Sequence, residues 1–145
     1  MFIGLDPGST KSGYVVMNGA AILEHGWVEN EWLIGHIQVH RGCGVVERPT
    51  LRGGKAGTTM GDTIYWAGRF REVLGHDMTT GQIIAALTSD AHGSREDVGF
   101  AIARYFGKTQ MRELTGKGGI LRGWTGHEID ALRVGIAFTL KGGGK

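Results

Sequence analysis

The chain of 145 residues has one cysteine and no long apolar run. A lone cysteine, Cys43, excludes an internal disulfide framework and any zinc site built from several cysteines. No stretch approaches the roughly 20 apolar residues that a membrane-spanning helix needs. These absences favour a soluble protein of a reducing compartment, which we expect to be the cytoplasm.

An excess of either charge is also lacking, because the formal net charge is only +2. That value is too small to indicate a nucleic-acid partner, so the distribution of charge matters more. Residues 1–47 carry two basic and five acidic groups, a balance of −3, whereas residues 48–75 and 95–122 each stand at +3. The two basic stretches are candidate phosphate-facing surfaces, although solvated surface charge with no partner explains them equally well.

Apolar runs and turn residues predict a mixed α/β fold. The first run ends at Asp6-Pro7-Gly8, where a strand must stop. Asn18-Gly19 predicts a type I′ hairpin turn, so that the first three strands are antiparallel. A helix capped by Asn30 follows, and the run 44–47 then predicts a buried strand that Arg48-Pro49 ends. A strand, a crossing helix and a strand suggest that the last strand pairs in parallel with the first.

The second half of the chain is mainly helical by its apolar spacing. A helix is predicted from Met60 to Leu74, then a very short strand around Met78 and a helix over 82–88. Capping-box patterns at 94–97 and 125–128 open two further helices, and the basic stretch 107–124 between them is predicted to be a loop. We expect one domain over residues 1–140, with a mixed five-stranded sheet and helices on both faces, and a flexible tail at 141–145.

Two carboxylates end the strands that we expect to be parallel neighbours. Asp6 and Glu47 would then emerge side by side at the carboxyl edge of the sheet, where active sites of open α/β folds lie. Carboxylates this close repel each other unless a cation neutralises them. Oxygen ligands select Mg²⁺ or Mn²⁺, and a pair of such ions can activate water and stabilise the leaving oxygen of a phosphodiester.

The first turn of the last predicted helix supplies two more candidates. His127 and Asp130 are three residues apart and therefore share one helix face. His127 is either a metal ligand or a base that positions water, and the sequence does not choose between these roles. Glu128 lies off that face and is better explained as the capping-box partner of Thr125, so we leave it out of the site.

Three motifs, in this order, resemble those of RuvC-type Holliday-junction resolvases, which belong to the ribonuclease-H-like superfamily. The opening run from Ile3 to Tyr14 contains the Asp-Pro-Gly turn and the glycine of the following hairpin. The segment Val45-Val46-Glu47-Arg48-Pro49 is similar to the strand that ends in the family's glutamate. Gly126-His127-Glu128-Ile129-Asp130-Ala131-Leu132 is similar to the C-terminal motif, and the order and spacing agree over nearly the whole chain.

The resemblance implies a ribonuclease-H-like fold and a homodimer that nicks a four-way DNA junction symmetrically in DNA recombination and repair. It implies metal ligation by Asp6, Glu47 and Asp130, with His127 in the fourth place, and Mg²⁺ as cofactor, replaceable by Mn²⁺ and with two ions per site. It places such a protein in the cytoplasm of a bacterium or a phage-infected cell, as a phage-type or diverged member. The candidate contacts to the DNA backbone are Arg48, Arg52, Lys55, Arg104, Lys108, Arg112, Lys117 and Arg122.

Preference for a junction rests on the resemblance more than on the residues, because the loop after Glu47 lacks the aromatic residue that many relatives place near the junction centre. One alternative is a DNA-structure-binding module that kept the fold without activity. Another is an ATPase of the actin or sugar-kinase type, since Asp6-Pro7-Gly8-Ser9-Thr10 before a hairpin also resembles that phosphate-binding opening. Such enzymes need a second domain and a second phosphate loop, which we do not find in the sequence.

Overall fold

Five strands form one mixed sheet in the computed structural model, which describes residues 1–51 and 58–143. The strands are β1 (Phe2–Asp6), β2 (Lys11–Asn18), β3 (Ala21–Glu29), β4 (Gly44–Arg48) and β5 (Gly75–Thr79). Their order in the sheet is β3-β2-β1-β4-β5; β2 pairs antiparallel with β1 and β3, while β4 lies parallel to both β1 and β5. This arrangement confirms the predicted parallel pairing of the first and fourth strands.

In residues 1–51 and 58–143, six α-helices and one 3₁₀ turn cover the two faces of this sheet, as predicted. No helix in the described ranges is long and apolar enough to cross a membrane. The helices are α1 (Asn30–His36), continued by the 3₁₀ turn Ile37–His40, α2 (Thr58–Leu74), α3 (Thr80–Thr88), α4 (Arg95–Tyr105), α5 (Met111–Thr115) and α6 (Gly126–Leu140).

The alternation of side chains along β1 divides the core into two layers. Ile3 and Leu5 point to one face, where they pack with α1 and with Phe70 of α2. Phe2 points to the other face and packs against α6 and α4, which contribute Leu132 among others. All of these side chains are buried. Burial on both faces explains why β1 is an uninterrupted apolar run rather than an alternating one.

Glycines in the sheet let α6 approach it closely. A Cβ atom at Gly4 would collide with the carbonyl oxygen of Ala131, and one at Gly13 would collide with that of His127. The first two turns of α6 therefore lie directly against β1 and β2. This approach brings the N-terminus of α6 to the carboxyl end of β1, where Asp6 is placed.

Three details differ from the sequence-based predictions. Asn30 does not cap α1 through its side chain, because Glu29 is the N-cap residue and the Asn30 amide is buried in contacts with the turn after β1. The hairpin turn lies one residue later than predicted: Asn18 pairs with Ala21, and Gly19 has a φ of 57°. The stretch 107–124 is not entirely a loop, because it contains α5.

Two predictions extend beyond the described ranges. The predicted glycine- and threonine-rich loop includes residues 52–57, which lie outside them. In the predicted tail, residues 144–145 lie outside them as well, while Gly142 and Gly143 donate backbone hydrogen bonds to the last turn of α6.

Candidate metal centre

Asp6 and Glu47 lie at the same edge of the sheet, at the carboxyl ends of two adjacent parallel strands. Leu5 of β1 is in register with Val46 of β4, so the next residue of each strand carries a carboxylate to this edge. Their side chains are only 16% and 12% exposed. The strands end here because Pro7 and Pro49 follow and cannot continue a ladder.

The turn that follows Asp6 is held by a buried polar network. Asn30, at the start of α1, donates through Nδ2 to the carbonyl oxygen of Gly8 at 3.0 Å and accepts through Oδ1 from the hydroxyl of Ser12 at 2.6 Å. The Ser12 hydroxyl in turn accepts from the amide of Gly8 at 3.1 Å. Ser12 and Asn30 are fully buried, so this satisfied network fixes the Asp-Pro-Gly turn and with it the direction of Asp6.

The N-terminus of α6 supplies His127 and Asp130, as predicted. Thr125 and Glu128 form the expected capping box, and Glu128 also contacts Nδ1 of His25 at 2.6 Å. That engagement explains why Glu128 points away from Asp6. His127 points toward the sheet edge, with its Nδ1 atom 3.0 Å from Oδ2 of Asp6.

Acidic side chains accumulate around Asp6. Burial raises the pKa of Asp6 to about 6; the hydrogen bond from His127 opposes this shift, and the negative charges of Asp130 and Glu47 add to it. Burial also raises the pKa of Asp130, with Arg133 opposing the shift and Glu47 adding to it. The three carboxylates are therefore close enough to repel one another, and additional positive charge at this edge would be stabilising.

Arg133 on α6 is a member of this cluster that the sequence did not suggest. Its Nη2 atom lies 3.0 Å from Oε2 of Glu47, and its Nη1 atom lies 3.6 Å from Oδ1 of Asp130. The signal in the sequence was its position three residues after Asp130, which places both side chains on one helix face. Thr80 was also missed: its hydroxyl donates to Oε1 of Glu47 at 2.7 Å.

Trp27 of β3 is a third neighbour that sequence reasoning did not find. Its ring stacks on His127, with the ring centroids 5.4 Å apart and the planes at 11°. The ammonium group of Lys11 lies on the same indole, 5.0 Å from its centroid. Trp27 is paired with Gly13, and the missing side chain at that position is what lets α6 carry His127 next to the indole. The tryptophan is 44% exposed at the rim of the site.

The donor chemistry of the cluster fits a hard divalent cation. Carboxylate oxygens are the ligands that Mg²⁺ and Mn²⁺ prefer, and Asp6, Glu47 and Asp130 supply three such groups at one edge. Within residues 1–51 and 58–143, however, no three His, Cys, Asp or Glu side chains are already gathered around a common point. The guanidinium of Arg133 lies between Glu47 and Asp130, so these two carboxylates face an arginine rather than each other.

Six of the eight candidate DNA contacts fall in the described ranges, and all six side chains are exposed. Arg52 and Lys55 lie outside those ranges. Arg95, which the sequence analysis did not single out, lies beside the site: it lines a cavity of about 400 Å³ together with Asp130 and Arg133. A second cavity on α4 shares Arg95 with the first and reaches Arg112. A largely apolar groove that carries Arg95 and Arg112 therefore leads away from the carboxylates.

The sheet order, the parallel β1–β4 pair and the packing of α6 across β1 define a ribonuclease-H-like α/β fold. Among solved structures, the chain is similar to RuvC of Thermus thermophilus, with a TM-score of 0.62 over 97% of this chain and 94% of that chain. It is equally similar to T. thermophilus RuvC in complex with a Holliday junction substrate, with a TM-score of 0.61 over 98% and 95% of the two chains. The chain thus has a RuvC-like fold.

Sequence identity to both structures is 18%, so the likeness establishes the fold and not the activity. No protein-family model matches the chain. No curated protein sequence matches it either.

Proposed function

We propose that this chain is a divalent-metal-dependent endonuclease that cuts four-way or otherwise branched DNA. The observation that carries the proposal is the placement of Asp6, Glu47, His127 and Asp130 at one edge of a RuvC-like sheet. In the proposal, Asp6, Glu47 and Asp130 hold the metal, and His127 is the catalytic base rather than a fourth ligand. The solved neighbour that holds a Holliday junction supports the choice of a branched substrate.

The reaction we assign is hydrolysis of a phosphodiester. The oxygen of a water molecule bonds to phosphorus, the bond from phosphorus to the 3′ oxygen breaks, and the products are a 5′ phosphate and a 3′ hydroxyl. When bound, two Mg²⁺ or Mn²⁺ ions would polarise the phosphate and stabilise charge on the attacking and leaving oxygens.

The chain's own side chains suit the proton transfer that this reaction requires. Nδ1 of His127 faces the Asp6 carboxylate, which accepts its hydrogen and leaves Nε2 as the acceptor nitrogen of the neutral ring. The stacked indole of Trp27 holds the plane of the ring. In the proposal, Nε2 takes the proton of the attacking water, and the 3′ oxygen takes a proton from solvent.

The two arginines of this groove support the assignment of a nucleic-acid substrate. Arg95, the first residue of α4, lines the cavity beside Asp130, and Arg112 of α5 lines the adjoining one. In the proposal, both arginines contact phosphates. Such contacts neutralise phosphates without selecting bases, so they position a strand but do not choose its sequence. Arg104, Lys108, Lys117 and Arg122 would extend this contact as exposed basic residues of the same half of the chain.

Symmetric cutting requires two active sites, so the proposal includes a homodimer of single-domain protomers built from residues 1–140. Helix α2 supports it, because Ile64 and Tyr65 are 43% and 55% exposed, and Ile64 borders an open cavity together with Gly68 and Leu51. A two-fold interface uses the same patch of both copies. Tyr65→Glu should therefore shift the protein from dimer to monomer in analytical ultracentrifugation, and an unchanged dimer would remove α2 from the interface.

A cleavage assay on matched substrates tests the function directly. A synthetic four-way junction, a flap and a linear duplex of the same sequence are compared at equal Mg²⁺ concentration. We expect paired nicks in opposing strands of the junction and slower cutting of the linear duplex. Equal rates on all three would leave a nuclease without junction preference. Binding of the junction without cleavage in Mg²⁺ and in Mn²⁺ would instead support the non-catalytic module, and ATP binding without DNA binding would support the ATPase alternative.

A further inference from the structure

Arg133 forms ion pairs with two of the three carboxylates of the candidate metal centre. Nη2 is 3.0 Å from Oε2 of Glu47, and Nη1 is 3.6 Å from Oδ1 of Asp130. The other oxygen of Glu47 accepts from the hydroxyl of Thr80. Both oxygens of Glu47 are therefore engaged. A cation that ligates this carboxylate meets the positive charge of Arg133 at Oε2, and that repulsion is relieved only if the guanidinium moves away.

The contact is not an ordinary surface ion pair. The side chains of Arg133 and Glu47 are only 21% and 12% exposed. A guanidinium group stays charged at every physiological pH, so it always offsets one of the negative charges of the cluster. Its Nε atom is buried and has no hydrogen-bond partner among the residues that the structure describes. Arg133 is thus held in this position by the two carboxylates, with nothing in the described chain binding its Nε.

Space for a second position of the guanidinium lies next to it. The cavity of about 400 Å³ that Asp130 and Arg133 line is continued by apolar residues, among them Val98 and Ile129. An arginine packs its aliphatic stem on such surface while its charged head moves toward solvent. The side chain can therefore leave the carboxylates without unfolding α6.

We propose that Arg133 is a built-in counter-cation, which occupies the Glu47–Asp130 side of the site until a divalent ion displaces it into the adjacent cavity. The inference rests on the proposed metal-dependent function. It assigns Arg133 as a positioning residue that sets the affinity of the site for metal, rather than as a residue that touches the reacting atoms. Two consequences follow: the metal-free protein keeps its carboxylates in place, and metal binding is weaker than the three carboxylates alone would allow.

The test measures Mn²⁺ binding by calorimetry in the absence of DNA. Arg133→Met removes the competing charge and keeps the aliphatic stem. We expect this variant to bind Mn²⁺ about tenfold more tightly than the wild type, which corresponds to about 1.4 kcal/mol of binding free energy. Arg133→Lys keeps the charge and should bind Mn²⁺ with an affinity between the two. Arg95→Met is the matched control, because Arg95 also acts on Asp130 through its charge but is not bonded to the carboxylates.

A second readout separates competition from a structural role. Without metal, Arg133→Met should lower the unfolding temperature, because Glu47 and Asp130 lose their counter-charge. Saturating Mn²⁺ should raise the unfolding temperature of this variant more than that of the wild type. If Arg133→Met does not fold, the Mn²⁺ affinity and the unfolding temperature of Arg133→Lys are compared with those of the wild type instead.

The outcomes distinguish this inference from the proposed function. If the wild type binds Mn²⁺ and Arg133→Met binds it with equal or lower affinity, the counter-cation role is wrong and the metal site stands. An equal gain in Arg95→Met would also overturn the role, because any nearby positive charge would then suffice. If neither the wild type nor any variant binds Mn²⁺, the metal-dependent function fails, and this inference fails with it.

Discussion

Nδ1 of His127 lies 3.0 Å from Oδ2 of Asp6, although 121 positions separate the two residues in the sequence. One residue ends the central strand β1, and the other begins the last helix. Their meeting depends on α6 lying directly on the sheet, which Gly4 and Gly13 permit. The candidate site is thus a product of helix–sheet packing, which brings these charges together.

Asp6→Asn should stabilise the metal-free protein above pH 6. The folded-state pKa of Asp6 is about 6, above the ordinary value of 3.8, so the folded protein holds this proton more strongly than the unfolded chain. The stability of the wild type should therefore fall as the pH rises from about 4 to 6, and above this window the variant gains roughly 2–3 kcal/mol. Urea unfolding in EDTA between pH 4 and 8 measures the difference. Parallel pH profiles for the two proteins would contradict the expectation.

Gly13→Ala should damage both stability and activity. The added Cβ atom would collide with the carbonyl oxygen of His127 and push the first turn of α6 away from Asp6. Overpacking of this kind costs about 1–3 kcal/mol. Gly35→Ala is the matched control, because Gly35 is an exposed residue of α1 with open space around it; it should gain up to about 1 kcal/mol from helix propensity. Thermal unfolding and junction cleavage are measured on both, and a harmless Gly13→Ala would refute the close packing.

Trp27→Ala should reduce cleavage without a large change in fold stability. The indole stacks on His127, so its loss frees the orientation of that ring. Outer partners of active-site ligands typically contribute about ten- to a hundredfold to activity. Trp32→Ala is the control, since Trp32 is similarly exposed and stacks on His36, with ring centroids 4.4 Å apart, away from the carboxylates.

Both tryptophan variants lose a stacking pair worth about 0.5–1.5 kcal/mol, so their unfolding temperatures should be similar. Only Trp27→Ala should cut the junction more slowly. Equal cleavage rates for the two variants would show that Trp27 does not orient His127.

Arg95→Ala should weaken DNA binding uniformly across sequences. Arg95 borders the groove that begins at Asp130, so we expect it to contact phosphate. Loss of one phosphate contact should reduce the slope of log affinity against log salt by about one. Arg41→Ala is the control, because Arg41 is exposed just before β4, at the opposite edge of the sheet. Titration of a labelled four-way junction at several salt concentrations measures both slopes, and a slope unchanged by Arg95→Ala would exclude this groove.

The main elements of the site were predictable from the sequence because their signals are local. Asp6 ends an apolar run and precedes Pro-Gly, and the capping box of Thr125 and Glu128 predicts the start of α6. The structure confirms the strand, the helix and the parallel β1–β4 pair. The metal-ligating and catalytic roles of the four residues stay a prediction. The predicted cap at Asn30 was wrong, because the buried turn after Asp6 is a stronger partner for its amide.

The remaining neighbours of the site could not be predicted, since they depend on distances between elements. In the sequence, Arg133 is only a positive charge near Asp130. No local pattern indicates that its side chain contacts Glu47, which lies 86 positions away. Trp27 has the pattern of a half-exposed strand residue, and its contact with His127 arises only when α6 packs against Gly13. Helix α5 is only five residues long, too short for a periodic apolar signal.

The most direct test of the central claim compares two acidic residues at the start of α6. Asp130→Asn removes a carboxylate of the proposed metal centre, whereas Glu128→Gln alters a carboxylate that is engaged in the capping box and with His25. Cleavage of a four-way junction in Mg²⁺ should fall at least about a hundredfold in Asp130→Asn, since even outer partners of metal ligands are worth about ten- to a hundredfold. Junction binding should persist in both variants, and Glu128→Gln should cut at close to the wild-type rate. Full activity of Asp130→Asn, or equal losses in the two variants, would contradict a metal-dependent nuclease centre at this sheet edge.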